Sequence, residues 1–139
     1  MNRFIVDTDI LSLFLQRHPE VVASLERHQT DYISTSIITM QEIWDGWMAA
    51  LAKSKTAEHL GRVYLRFTDT LNDLKPWQIE TFSVPAILRF ESLKKQKLNA
   101  GRKDLKIASI ALETGAAVVT RNLRDFQRVP GLIVEDWAV

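Results

Sequence analysis

Four acidic residues, Asp7, Glu42, Asp104 and Asp125, lie far apart in the chain, each just after a strand-like run or near the beginning of a helix-like one. A doubly wound sheet brings such positions together, because ligands there bind outside the carboxyl ends of the strands. Carboxylates gathered in this way repel one another unless a cation holds them. Their chemistry is that of a divalent-metal site, and oxygen ligands without histidine or cysteine favour Mg²⁺ or Mn²⁺ over zinc. Asn122 falls within one turn of Asp125 and can ligate directly or through water. Asp9 can add a carboxylate or simply face solvent.

Each of these residues also has a plainer reading. Asp7 and Asp104 suit helix caps, as does Thr8. Asn122 and Asp125 can hold a turn by local side-chain to backbone bonds. In the helix of Glu42, the apolar stripe Met40, Ile43, Trp44, Trp47, Met48 and Leu51 lies opposite the glutamate. If that stripe is core, Glu42 is a solvated residue; if the Ile38, Gly46 and Ala49 face is the buried one, Glu42 enters the interior and the tryptophans await a partner.

The elements that would position these groups are legible in outline. Phe4-Ile5-Val6 reads as a buried parallel strand running into Asp7-Thr8-Asp9 and an apolar helix from Ile10 to Leu15. Pro19 can open a second helix. Tyr32 to Ser34 suggests a strand, and Ser34-Thr35-Ser36 caps a helix from Ile37 to about Lys53. Further helices are expected over Thr56 to Asp73, from Ser83 and Pro85 to before Asn99-Ala100-Gly101, and over Asp104 to Glu113. Short strands are expected at Ile79 to Phe82, Ala117 to Thr120 and Leu132 to Val134. Strands alternating with helices indicate an α/β fold, a central parallel sheet of about five strands with helices on both faces.

The 139 residues suit one domain, 1–139, and the composition, 46% hydrophobic and 25% charged, suits a globular protein. Absence of cysteine excludes disulfides, zinc–thiolate sites and thiol nucleophiles. No segment approaches a membrane span, and Met1 to Val6 runs straight into a strand pattern without a cleavable signal, so a cytoplasmic location is expected. His18, His28 and His59 have no metal-ligand spacing and read as surface residues; no serine or threonine has a histidine base placed for a hydrolytic triad. The net charge of +1 is uneven: Arg89 to Lys106 holds seven basic residues against two acidic ones. This stretch is either a solvated helix face or a surface that attracts phosphates beside Asp104.

Taken together in this order and setting, the motifs resemble those of the PIN-domain ribonucleases, in particular the VapC-type toxins of bacterial toxin–antitoxin pairs. The resemblance runs from Phe4-Ile5-Val6-Asp7-Thr8 through the Glu42 helix and Asp104-Leu105-Lys106-Ile107-Ala108 to Val119-Thr120-Arg121-Asn122-Leu123-Arg124-Asp125-Phe126, with Pro130-Gly131-Leu132-Ile133-Val134-Glu135-Asp136-Trp137 as its closing segment. It implies a Mg²⁺- or Mn²⁺-dependent endoribonuclease with Asp7, Glu42, Asp104 and Asp125 as the acidic metal site, and Asn122 and Thr8 as polar supports. It also implies a homodimer and a small antitoxin of VapB type. Lys94, Lys95, Lys97, Arg102, Lys103, Arg121 and Arg124 are then the candidates for phosphate contacts with RNA. Asp9 stands where the family more often has Asn or Ser, and Gly101-Arg102-Lys103-Asp104 is more basic than is usual there.

Two other classes compete. Asp7-Thr8-Asp9 after a hydrophobic strand has the Asp-x-Asp form of haloacid-dehalogenase-like phosphatases, although Leu11 replaces the Thr or Val expected two residues on. A catalytically silent nucleic-acid or protein-binding module on the same fold is the third reading, and the intact set of four carboxylates argues against it.

Overall fold

The computed structural model describes residues 1–139. Five strands, β1 (Arg3–Val6), β2 (Tyr32–Ser36), β3 (Gln78–Glu80), β4 (Ala117–Val119) and β5 (Val134–Glu135), form one sheet in the order β3-β2-β1-β4-β5. Every pairing is parallel. Seven helices connect them: α1 (Thr8–Leu15), α2 (Pro19–Arg27), α3 (Ile37–Lys53), α4 (Ala57–Leu74), α5 (Val84–Lys95), α6 (Arg102–Thr114) and α7 (Leu123–Phe126). From β1 the chain builds outward through β2 to β3, then crosses back to add β4 and β5 on the other side. The reversal falls between β1 and β4, the place where an open α/β sheet leaves a crevice at its carboxyl edge.

Period-two alternation in β1 and β4 explains why both faces are covered. Ile5 and Val118 point into a core built from Phe90, Leu93, Ile107, Ile110 and Phe126. Phe4, Val6, Ala117 and Val119 point the other way, onto Ile10, Leu11, Val21, Leu74 and Trp137. The register pairs Ile5 with Val118 and Val6 with Val119, so the residues that follow, Asp7 and Thr120, leave the two strands side by side.

The helix starts follow side-chain caps. Ser36 accepts the Thr39 N–H, His18 the Val21 N–H, Thr56 the His59 N–H and Ser83 the Ala86 N–H. Gly115, at φ 69°, ends α6 in the left-handed conformation that glycine adopts without penalty.

Several expectations shift. α6 begins at Arg102 rather than Asp104, which moves Asp104 to the third helical position, and the final strand is Val134–Glu135 rather than Leu132 to Val134. On α3, Ile38 and Thr39 are buried, but Gly46 and Ala49 are exposed. Only the first turns of α3 therefore lean on the sheet; farther along, Trp47 stacks on Phe67 of α4 at 5.6 Å and Trp44 meets the same ring edge-on while remaining 52% exposed. His28 is not a free surface residue: its ring stacks on Trp137 at 4.3 Å and meets Phe4 edge-on.

Candidate metal centre

Asp7 follows β1 at the crevice and is 7% exposed. Its Oδ1 accepts the Thr8 N–H at 2.8 Å, and its Oδ2 accepts the Thr120 hydroxyl at 2.8 Å. Thr120 in turn accepts the Asn122 N–H at 2.9 Å. One hydroxyl thus joins the end of β1 to the turn that carries Asn122 and Asp125. Asp9 is tied to that turn as well, its Oδ2 accepting the Arg121 N–H at 3.0 Å while its Oδ1 accepts the Ile10 N–H at 2.7 Å.

Glu42 reaches the same crevice from α3. Its Oε1 lies 3.1 Å from the Thr8 hydroxyl, which also lies 3.1 Å from the Thr39 hydroxyl, itself 3.3 Å from that of Ser36. Each hydroxyl has one proton, so the chain is satisfied when Ser36 donates to Thr39, Thr39 to Thr8, and Thr8 to the carboxylate. The other Glu42 oxygen, Oε2, is 3.9 Å from Lys103 Nζ.

Asp104, in the first turn of α6, and Asp125, on α7, are bridged by one amide. Asn122 Nδ2 donates to Asp104 Oδ2 at 3.0 Å and to Asp125 Oδ2 at 3.1 Å. The amide nitrogen thus solvates both carboxylates, and the amide oxygen remains a separate acceptor available to an ion. Arg128 forms an ion pair with the remaining Asp125 oxygen at 3.3 Å.

Electrostatics register the crowding. Burial, reinforced by Asp9 and Asp104 and opposed by the hydrogen bonds from Thr120 and Thr8, pushes the Asp7 carboxyl up to about 7. Asp104 is raised by burial and by the Asp125 and Glu42 carboxylates, against the Asn122 bond. Asp9 is raised mainly by burial, against the bonds from Arg121, Ile10 and Thr120. These groups feel one another's charge, yet no three of them converge tightly enough to form a ready ion cage. The donor set fits a hard divalent cation: it is all oxygen, mostly carboxylate, and its charge is only partly offset by Lys103 and Arg128. Closing it on an ion requires the carboxylates to draw together.

Of the residues singled out in the sequence, Asp7, Thr8, Glu42, Asp104, Asn122 and Asp125 come together. Lys103 joins them through Glu42. The Arg121 and Arg124 side chains are exposed at the rim, and Lys94, Lys95, Lys97 and Arg102 gather beyond the amino end of α6. Sequence reasoning passed over Thr120, Thr39 and Arg128. A polar residue directly after the β4 run marks Thr120, and the i, i+3 spacing from Asp125 marks Arg128 as its ion-pair partner; Thr39 has no comparable signal.

The PIN-domain family model matches residues 4–132. The tRNA(fMet)-specific endonuclease VapC of Salmonella typhimurium is 28% identical over 99% of this chain and 99% of its own. Ribonuclease VapC2 of Haemophilus influenzae is 30% identical over 99% of each chain. Among solved structures, VapBC2 from Rickettsia felis, bound to a DNA fragment from its promoter, superposes with a TM-score of 0.78 at 27% identity, covering 97% of this chain and 98% of that one.

Proposed function

Because the chain belongs to the PIN-domain family and, within it, to the VapC ribonucleases, we propose that it is a metal-dependent endoribonuclease, the toxin of a toxin–antitoxin pair, acting as one catalytic unit over residues 1–139. The observation that carries this reading is the buried Asp7 carboxylate at the β1–β4 crevice, raised to about 7 by burial and by the neighbouring Asp9 and Asp104 carboxylates.

Asp7, Glu42, Asp104 and Asp125 are the residues that would hold Mg²⁺ or Mn²⁺, directly or through water. When bound, such a cation supplies a water of lowered pKa and stabilises charge on the phosphodiester oxygens. The protein's own contribution is orientation. Thr120 and the Thr8 amide fix the rotamer of Asp7, the Ser36–Thr39–Thr8 hydroxyl chain aims Glu42, and Asn122 with Arg128 sets Asp125 against Asp104. Lys103 balances Glu42 until the carboxylate is engaged.

A phosphatase that uses Asp7 as nucleophile is disfavoured by the family match: residues 4–132 fit the PIN-domain model, and the similar proteins are ribonucleases. No helix is long and apolar enough to cross a membrane.

The partner reading follows from surplus apolar surface. Trp44 on α3 and Leu60, Tyr64 and Leu71 on α4 are all exposed, and large exposed apolar side chains on adjacent helices mark interaction surfaces. A VapB-type antitoxin and a second copy of the chain are the proposed occupants, supported by the relative from Rickettsia felis, which is a VapBC assembly. Incubating the purified protein with RNA and, separately, with a phosphomonoester, with and without chelator, tests the functional reading: only RNA should be turned over, and only with divalent cation present.

A further inference from the structure

The turn between α5 and α6 encloses an open hollow of about 620 Å³, and four cations line it: Lys94, Lys95, Lys97 and Arg102. Glu91 is the only acidic residue on its wall. Some basic side chains elsewhere pair with carboxylates, as in Arg3–Glu80, Arg17–Asp73, Arg89–Glu113 and Arg128–Asp125, and others stand singly on the surface; the hollow differs in gathering four within one turn. None of the four cations around the hollow has such a partner. Four cations gathered around a single carboxylate, Glu91, repel one another, and the arrangement favours a polyanion that can touch several of them at once.

The turn is also shaped and braced. Lys97 and Asn99 both adopt left-handed backbone conformations, at φ 52° and 59°, which non-glycine residues take only at some cost. Arg128 donates to the Asn99 carbonyl and also pairs with Asp125. One guanidinium therefore ties the wall of the hollow to a carboxylate of the candidate metal centre. Arg102 belongs to the hollow and Asp104, two residues later on the same helix turn, belongs to the metal centre. The floor is apolar, formed by Leu98, Ala100 and Leu105, so a strand lying over it meets cations around a surface on which sugars and bases can rest.

We infer that this hollow is a phosphate-backbone subsite for the RNA strand flanking the scissile bond, with Arg128 as a positioning residue that keeps it in register with the carboxylates. The inference rests on the proposed ribonuclease reading for the identity of the polyanion. Lys103 reaches Glu42 of the metal centre and its neighbour Arg102 lines the hollow with Lys94, Lys95 and Lys97, so a strand held there is gripped on one side of the cleavage point.

The test compares full-length chains carrying Lys94→Gln, Lys95→Gln, Lys97→Gln and Arg102→Gln together with chains carrying Lys53→Gln, Lys55→Gln, Arg62→Gln and Lys75→Gln together, four exposed cations outside the hollow. Both sets remove the same charge. Binding of a fluorescent single-stranded oligoribonucleotide is read by anisotropy over a range of salt in chelator, and single-turnover cleavage is read at saturating RNA with Mn²⁺. The hollow variant should bind roughly tenfold or more weakly at moderate salt, with its salt slope reduced by about 2 to 3, as expected for losing up to four phosphate contacts on a single strand. Its saturated cleavage rate should match wild type, whereas Arg128→Gln should lower that rate and leave the salt slope intact. Equal losses in the two charge-matched variants, or wild-type binding by the hollow variant, would overturn the subsite and leave metal-dependent cleavage standing. A wild-type chain that binds RNA through the hollow but never cleaves it would instead overturn the ribonuclease reading alone, and one that binds no RNA would overturn both.

Discussion

The Thr120 hydroxyl donates to the Asp7 carboxylate at 2.8 Å across 113 positions of sequence, joining the carboxyl ends of the two neighbouring central strands. This bond supports the ionised form of a carboxylate that burial otherwise disfavours. Thr120→Val keeps the shape and removes the donor. The variant is expected to lose on the order of 2–3 kcal/mol of stability above neutral pH, as for a hydrogen bond to a charged group, and its cleavage activity should require higher pH than wild type. Thr120→Ser should restore both. Equilibrium unfolding and pH–rate profiles of the three proteins check this.

The metal-free protein should become less stable as pH rises from about 4 to about 7. Asp7 is raised from 3.8 to about 7 in the folded state, so across that window the native chain retains a proton that the unfolded chain has released. Through Asp7 alone, stability then falls with pH by at most about 1.4 kcal/mol per pH unit. Asp9 and Asp104, also raised, act in the same direction. Asp7→Asn should flatten the slope and raise the melting temperature at pH 7 in chelator. Divalent cation should reverse the trend in wild type, because the ion binds the deprotonated carboxylates more strongly as pH rises.

Thr8 touches no substrate atom in this scheme, yet it ends the hydroxyl chain that aims Glu42. Thr8→Val should weaken Mn²⁺ binding by roughly 10- to 100-fold, the usual consequence of removing a support behind a metal ligand. Calorimetric titration measures the loss, and an unchanged affinity would place Glu42 outside the ligand set.

Trp44 and Trp47 share one partner ring, Phe67, but not one environment. Trp47→Ala should destabilise the isolated chain more than Trp44→Ala, because Trp47 lies flat on Phe67 while half of Trp44 faces solvent. Trp44→Ala should instead weaken self-association or antitoxin binding. Thermal melting, sedimentation and antitoxin titration separate the two effects.

The fold was readable because its signals are local. Phe4-Ile5-Val6 and the apolar run of Ala117, Val118 and Val119 had to be buried strands, and Gly115 had to end α6. The site was readable only as a set: each carboxylate alone suited a cap, and their order around a parallel sheet made them a cluster. The bonds that hold the cluster depend on register across the sheet. Its place after the β4 run marks Thr120 as a polar strand end, but only register across the sheet sets it beside Asp7, 113 residues away, and nothing near Lys103 shows that it will face Glu42. The orientation of α3 was hidden for a related reason. Its long apolar stripe is shared between the sheet at one end and α4 at the other, so a single buried face could not be read along its whole length.

The most direct test of the central claim is cleavage of RNA by the purified chain as Mn²⁺ or Mg²⁺ is titrated in, with wild type compared to folded Asp7→Asn and Asp104→Asn proteins. Both replacements keep the side-chain shape and remove one charge from the cation's surroundings. Cleavage by wild type should saturate with cation, vanish in chelator, and fall by orders of magnitude in both variants. Cleavage that persists in chelator, or that survives at wild-type rate in a folded Asp7→Asn protein, would contradict the account.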